Sequence, residues 1–196
     1  MTTPKLKHVL SIICDNLSQK GVPHAIIGAM ALSLYGMPRF TADIDLLSDE
    51  LHRKIILDVM KNLGYDCFQD TGTFAQFDSE LGVYGKVDFM FVNTYDGRTM
   101  LKGAIDINDE IIGVVPVVQP TDYVVLKLMA IANNSDRRAQ DMADIDTLFR
   151  SVTAGFLDPA FNPINVNQLQ KFAARFHVSE QLTSLLALLE IDTKPA

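Results

Sequence analysis

Apolar residues recur at helical spacing near the start of the chain and then form short runs separated by glycine and proline. Over residues 5–19, leucine, valine and isoleucine return every three or four positions, which predicts a helix that ends before Gly21. VPHAIIG, residues 22–28, is a short apolar run typical of a buried strand. AMALSLYG follows directly and predicts a short helix ending at Gly36, because Pro38 prevents its continuation.

The middle of the chain changes to a period of two, which is the spacing of strands. ADIDLL, residues 42–47, alternates between aspartate and apolar positions. Helices are predicted over 50–63, where Ser48 or Asp49 supplies the cap, and over 97–104 in GRTMLKGA. Further strands are predicted in YDCFQ (65–69), TFAQFD (73–78), VYGKVDFMFV (83–92) and EIIGVVPVV (110–118).

The last part of the chain is helical in pattern. Pro120 opens the first predicted helix, and the others are expected over about 135–151, 168–176 and 179–190. We therefore expect an α+β fold, with a mixed β-sheet and flanking helices in residues 1–118 and a helical region in residues 119–196. The two regions form either separate domains or one continuous domain.

Composition and charge exclude several classes of protein. Hydrophobic residues make up 48% of the 196 positions and charged residues 21%, which indicates a packed core rather than disorder. A net charge of −7 argues against broad, sequence-independent nucleic-acid binding. The apolar runs are too short or too interrupted to span a membrane, and Asp15 and Asn16 break the apolar N-terminal run that a signal peptide needs. We expect a cytoplasmic protein in which Cys14 and Cys67 are two buried thiols rather than a disulfide.

Three aspartates lie in strand patterns where a charge is costly. Asp43 and Asp45 point to the same face of a predicted strand, about 7 Å apart, and their mutual repulsion requires a compensating partner. Mg²⁺ is such a partner, because it prefers carboxylate oxygens together with substrate phosphates. Asp88, in the alternating run KVDFMFV, is the best candidate for a third ligand, and Asp78 is a weaker one.

The chemistry of this aspartate pair has several interpretations. Such pairs often lie on solvated strand faces without any ligand. Phosphatases of the haloacid dehalogenase type and DxD glycosyltransferases also carry an aspartate pair, but neither explains Gly28, Arg39 and Thr41 together. Gly28 lies at a predicted strand-to-helix turn, where backbone N–H groups and the helix dipole favour a phosphate.

Three segments together resemble a known superfamily. They are similar to motifs of the DNA polymerase β-like nucleotidyltransferases, and more narrowly of the AbiEii-type toxin nucleotidyltransferases. In chain order the segments are Gly28-Ala-Met-Ala, RFTADIDL at 39–46 and Val-Asp88-Phe. Lys127 and the segment RRAQDMAD at 137–144 match the helical part of that pattern. The resemblance covers about residues 22–150 and implies a polymerase β-like palm as the sheet region, with the helical region completing the site.

The resemblance also implies roles for individual residues. Asp43, Asp45 and Asp88 would hold a pair of Mg²⁺ ions, with Mn²⁺ as an alternative, and Asp88 would help to activate the acceptor as a ligand or as a general base. The remaining residues would serve nucleotide binding, through Gly28, Ala29, Met30, Arg39, Thr41 and Lys127, or support the site, through Arg137, Asp141 and Asp144.

Two of these assignments have structural alternatives. Arg137 and Asp141 stand four residues apart and also fit an ion pair on a helix surface. Lys127 also fits a lysine whose stem lies on apolar surface while its amine reaches water.

The function that follows is Mg²⁺-dependent transfer of a nucleoside monophosphate from an NTP to an acceptor hydroxyl, with release of pyrophosphate. The acceptor is a protein side chain, an RNA 3′ end or a small molecule, and nothing in the sequence decides among them. The resemblance adds a role as the toxin of a toxin–antitoxin or phage-defence system, with an antitoxin protein as partner. The alternative is a non-catalytic module of the same fold that binds a nucleotide or a partner.

Overall fold

The chain divides into two compact units in a computed structural model, which describes residues 4–79, 82 and 84–190. We call them the sheet unit, Met1–Leu34 with Pro38–Val118, and the helical unit, Tyr35–Met37 with Gln119–Ala196. Within the described residues, no helix combines the length and the apolar character that crossing a bilayer requires.

The sheet unit is built on one mixed β-sheet whose strands run in the order β3-β4-β5-β2-β1-β7-β6. Strand β2 runs parallel to β5 and antiparallel to β1, and β1 runs parallel to β7. The neighbours β3–β4, β4–β5 and β6–β7 are antiparallel. The strands are β1 (His24–Ile26), β2 (Asp43–Asp49), β3 (Tyr65–Asp70), β4 (Phe74–Ser79), β5 (Lys86–Val92), β6 (Ile105–Asp109) and β7 (Gly113–Val117).

The helices follow the apolar periodicity of the sequence. In the sheet unit they are α1 (Pro4–Gln19), α2 (Gly28–Leu34), α3 (Arg53–Asn62) and α4 (Tyr95–Lys102), with a 3₁₀ turn at Glu50–His52. In the helical unit they are α5 (Pro120–Asn133), α6 (Arg138–Thr153), α7 (Val166–Arg175) and α8 (Ser179–Glu190). Pro120 occupies the first turn of α5, where the missing proline N–H removes no helical hydrogen bond.

Alternation along the two central parallel strands separates a core face from a polar face. Ile44 and Leu46 of β2 and Val87 and Phe89 of β5 are 0% exposed. The aspartates between them are half-buried and lie on the opposite face. Burial of the apolar set therefore decides which face of the sheet carries the carboxylates.

Aromatic packing organises part of the helical unit. The rings of Tyr123 on α5 and Phe161 meet Tyr35 edge to face, with centroid distances of 5.7 Å and 4.9 Å. Burial raises the pKa of the Tyr35 hydroxyl well above its ordinary value, so this side chain stays neutral at the centre of the unit.

The α+β class with a mixed sheet and flanking helices is confirmed. Most of the predicted elements form within a few residues of the expected positions, and Asp49 caps the 3₁₀ turn by accepting the N–H of Leu51. Two expectations were wrong and one strand was missed. The strand expected over 110–118 begins only at Gly113, Cys67 is exposed rather than buried, and strand β6 was not predicted. Glycine at 113 permits the backbone φ of +87° with which β7 begins after the turn.

Candidate active site

Asp43 and Asp45 stand at the beginning of β2 on the polar face of the sheet. The main-chain hydrogen bonds of the strand and the burial of Ile44 between them keep both side chains on that face. Both aspartates are half-buried, so solvent can reach them only in part. The predicted placement of this pair on one strand face is what the structure shows.

Asp88 is brought beside this pair by the register of two neighbouring strands. On the parallel strands β2 and β5, Asp45 and Asp88 are direct Cα partners, and Asp43 is the partner of Lys86. Residues directly opposite each other on paired strands share a face. The three aspartates therefore occupy one face of adjacent strands, although Asp45 and Asp88 are 43 positions apart in the sequence.

Gly28 lies against the carboxylate of Asp45. A β-carbon at position 28 would fall 2.0 Å from Oδ2 of Asp45, and the backbone φ of +63° lies in the left-handed region. The adjacent N–H of Ile27 donates to the carbonyl of Asp45 over 3.0 Å, which holds the two chain segments together. Only glycine satisfies both the close approach and the backbone conformation at this point.

Thr41 shapes the backbone before the first aspartate. Its hydroxyl donates to the carbonyl of Asp43 over 3.0 Å and accepts the N–H of the same residue over 3.2 Å. Arg39 is half-buried, and its backbone N–H donates to Oγ of Ser33 over 3.4 Å. The segment before β2 is thus tied down where the carboxylate pair begins.

Ala29 and Met30, two of the residues predicted to bind phosphate through their backbone, lie in the first turn of α2. Their side chains are 5% and 1% exposed, so they pack into the core. The N–H groups of a first helical turn have no partner within their helix. Any contact with a phosphate would therefore come from the main chain and not from these side chains.

Gln76 on β4 was not among the predicted site residues. Its Nε2 donates to Oδ2 of Asp88 over 3.0 Å, and the two residues are direct partners on the antiparallel strands β4 and β5. A polar residue in an alternating strand carries no signal that distinguishes it from a solvated one, so only the strand register identifies Gln76. Asp78, the weaker candidate, is the Cα partner of Asp66 on β3.

The site suits a divalent cation by its donor chemistry. Carboxylate oxygens are the ligands that Mg²⁺ prefers, and strand register gathers the three aspartates on one face next to a glycine without a β-carbon. In the part of the chain that the structure describes, no group of three or more His, Cys, Asp or Glu side chains is already arranged as a set of metal ligands. The strand register thus brings three suitable carboxylates together, and their side chains would change orientation to bind an ion.

Lys127 forms a buried cluster with two aspartates of the next helix. Its Nζ donates to Oδ1 of Asp141 over 2.6 Å and to Oδ2 of Asp144 over 2.7 Å. The three residues are 8%, 1% and 4% exposed. Lys127 is therefore not a lysine that reaches for water, and Asp141 does not lie on a helix surface.

Arg137, by contrast, is exposed at the N-cap of α6. The suggested surface ion pair between Arg137 and Asp141 is thus wrong, since Asp141 points into the protein and binds Lys127. The role of Lys127 in nucleotide binding and that of Arg137 in supporting the site stay predictions.

Solved structures of similar fold are nucleotidyltransferases. An antigenic nucleotidyltransferase-like protein from Paracoccidioides brasiliensis matches 100% of this chain and 96% of its own, with a TM-score of 0.59 and 20% identity. The antibiotic-resistance factor ANT(2″)-Ia, in complex with adenylyl-2″-tobramycin, matches 93% of this chain and 95% of its own, with a TM-score of 0.53 and 11% identity. At these identities the similarity establishes the fold alone.

No curated protein sequence matches the chain. A family model described as "Nucleotidyl transferase AbiEii toxin, Type IV TA system" matches residues 12–194, which spans both units. The aspartate pair, the glycine beside it and the aspartate of the neighbouring strand all lie inside that match. The protein therefore belongs to the AbiEii nucleotidyltransferase toxin family of type IV toxin–antitoxin systems and is a nucleotidyltransferase.

Proposed function

We propose that the protein transfers a nucleoside monophosphate from an NTP to an acceptor hydroxyl, with Mg²⁺ or Mn²⁺ held by Asp43, Asp45 and Asp88. The acceptor oxygen attacks the α-phosphorus while its proton leaves to a base. The bond between the α-phosphorus and the bridging oxygen breaks, and pyrophosphate departs. The observation that supports this proposal is the register that places Asp88 directly opposite Asp45 on one sheet face.

Each aspartate has a distinct part in the proposal. When bound, the metal ions supply positive charge that offsets the charge developing on the attacking and leaving oxygens. Asp43 and Asp45, on one strand, would hold the ions. Asp88, on the neighbouring strand, would help to activate the acceptor, either as a metal ligand or as the base that takes the acceptor proton.

Gly28, at the start of α2, and Thr41, just before β2, support the same chemistry. Because Gly28 has no β-carbon, the Asp45 carboxylate and the backbone of α2 approach each other closely. We propose that the N–H groups of Ala29 and Met30 contact the triphosphate at this point. Thr41, through its two hydrogen bonds to the backbone of Asp43, keeps the first carboxylate in position.

The acceptor and the antitoxin partner complete the proposal. The family supports a role as the toxin of a toxin–antitoxin system, with an antitoxin protein as partner. The acceptor hydroxyl belongs to a protein side chain, an RNA 3′ end or a small molecule. ANT(2″)-Ia, solved in complex with adenylyl-2″-tobramycin, binds an adenylylated small molecule on a similar fold.

The test is nucleotidyl transfer from each of the four NTPs, labelled at the α-phosphate, to protein, RNA and small-molecule fractions, with Mg²⁺ and with EDTA. We expect label transfer that requires the metal and is abolished by Asp43→Asn. Asp66→Asn, which alters an exposed strand aspartate on β3, is the matched control and should transfer label as the wild type does.

Thermal unfolding with Mg²⁺ and each NTP provides a second measurement that does not need the acceptor. A ligand at one hundred times its dissociation constant stabilises the folded state by about 2.7 kcal/mol. This stabilisation should raise the melting temperature of the wild type, and Asp43→Asn should show no such rise. Equal transfer by Asp43→Asn, or transfer that persists in EDTA, would overturn the proposal.

A further inference from the structure

The carboxylate of Asp88 has a neutral hydrogen-bond donor on the strand away from the other aspartates. Asp45 is the Cα partner of Asp88 on β2, and Gln76 is its partner on β4. Nε2 of Gln76 donates to Oδ2 of Asp88 over 3.0 Å, and both side chains are half-buried. Asp88 therefore lies between a carboxylate on one side and an amide donor on the other.

This arrangement has a physical consequence for the orientation of Asp88. The terminal torsion of an aspartate is broad, so a carboxylate without a directional contact samples many orientations. A hydrogen bond from an amide to a carboxylate oxygen restricts that rotation. Because glutamine is neutral, it provides this donor without a positive charge that would compete with a bound cation.

We propose that Gln76 is a positioning residue for Asp88, which holds its carboxylate on the sheet face that it shares with Asp45 and thereby raises the affinity of the site for a divalent cation. The inference rests on the proposed function, in which Asp88 is a metal ligand. Hydrogen-bond partners of ligating carboxylates typically contribute about 10–100-fold to metal affinity or activity. Gln76 acts through Asp88 and does not itself touch the substrate.

The chain offers a matched control for this residue. Gln69 on β3 is the Cα partner of Gln76 on its other side, and it is exposed. Methionine has nearly the length and volume of glutamine but donates no hydrogen bond. Gln76→Met thus removes the donor with little change in packing, and Gln69→Met makes the same chemical change one strand further away.

The experiment is a calorimetric titration of Mn²⁺ into the full-length wild type, Gln76→Met, Gln76→Leu, Gln69→Met and Asp45→Asn, with and without an NTP analogue that cannot be cleaved. Circular dichroism and the unfolding midpoint of each variant establish that it is folded. We expect both Gln76 variants to bind Mn²⁺ about 10–100-fold more weakly than wild type, and Gln69→Met to bind as wild type does. Transfer kinetics should show the same difference as a higher Mn²⁺ concentration at half-maximal rate.

The outcomes separate this inference from the proposed function. If the folded wild type binds Mn²⁺ no better than Asp45→Asn, the metal site itself is absent and both fail. If Asp45→Asn loses binding while the two Gln76 variants bind as tightly as wild type, the role of Gln76 is overturned and the proposed function stands. Equal losses in Gln76→Met and Gln69→Met would also overturn it, because the effect would then not depend on the bond to Asp88.

Discussion

Gly28 occupies a position where a side chain has no room. The carboxylate of Asp45 lies where the β-carbon would be, 2.0 Å away at its nearest oxygen, and the backbone φ is +63°. Glycine pays no steric penalty for this φ, whereas other residues do. A single residue thus determines how closely the end of β1 and the start of α2 approach the aspartate pair.

Gly28→Ala should damage both stability and transfer. The left-handed φ costs a residue other than glycine about 1–3 kcal/mol, and the displaced carboxylate should lower the transfer rate by about 100-fold. Urea unfolding and single-turnover transfer measure the two effects. Gly72→Ala, at a position where a β-carbon would meet no atom within 4 Å, is the control and should change neither quantity. Wild-type transfer by Gly28→Ala would show that the close approach to Asp45 has no catalytic consequence.

Asp122 on α5 is a buried carboxylate outside the aspartate trio. Burial raises its pKa above the ordinary value of 3.8, and a hydrogen bond of 2.9 Å from Nε2 of Gln168 opposes the shift only in part. A carboxyl group whose pKa is raised in the folded state contributes stability below its unfolded pKa. That contribution is lost as the pH rises through the folded pKa.

Asp122→Asn should therefore stabilise the protein at pH 7.5 and lose this advantage towards pH 4. The asparagine Oδ1 can still accept the bond from Gln168, so the change removes mainly the cost of a buried charge. The free energy of urea unfolding at the two pH values measures the effect. Asp136→Asn, at an exposed aspartate, should show no comparable difference. A variant less stable than wild type at pH 7.5 would mean that the ionised carboxylate contributes a favourable interaction here.

At the level of elements, the helical unit joins α5 to α6 through a buried ion cluster. Nζ of Lys127 donates to Asp141 and to Asp144 at 2.6 Å and 2.7 Å. The amine also lies 5.7 Å from the centroid of the Tyr123 ring. Because all three charged residues are buried, replacing one of them with a neutral residue changes the charge balance of the cluster, and loss of Lys127 leaves two buried carboxylates without a cation.

Lys127→Met should destabilise the protein by about 3–5 kcal/mol, since it leaves two buried carboxylates without their cation. The triple variant Lys127→Met, Asp141→Asn, Asp144→Asn should recover most of this loss but not nucleotide transfer, because Lys127 is predicted to take part in nucleotide use. Chemical unfolding and transfer kinetics measure both. The control is Arg150→Met, which removes an exposed ion pair with Asp146 of the kind that contributes about 0–1 kcal/mol. Full activity of the triple variant would assign the cluster to stability alone.

Alternation of side chains and pairing between strands explain which elements could be predicted from the sequence and which could not. The first four residues of β2 and of β5, DIDL and KVDF, alternate between charged and apolar positions, and burial of the apolar positions fixes which face of the sheet carries their aspartates. Strand β6, IDIND, consists largely of residues that are rare in strands, and it forms because it pairs with β7 at the edge of the sheet. Cys67 lies on the edge strand β3, which leaves it exposed.

Across the whole molecule, the motif RFTADIDL and the later Asp88 predicted the family and the aspartates of the site from the chain alone. The sequence could do this because side-chain chemistry and the period of a strand are local properties. It also determined that Asp43 and Asp45 share a face, since two residues of separation allow no other outcome in a strand.

Only the tertiary structure decided which distant residues meet. The parallel register of β2 and β5 places Asp88 opposite Asp45, and the antiparallel register of β4 and β5 places Gln76 opposite Asp88. The sequence predicted Lys127 as a nucleotide-binding residue or a lysine whose amine reaches water, and only the fold places it at the centre of a buried ion cluster with Asp141 and Asp144. Register depends on how all strands and helices bury their apolar faces together, and that is a property of the packed whole rather than of any segment.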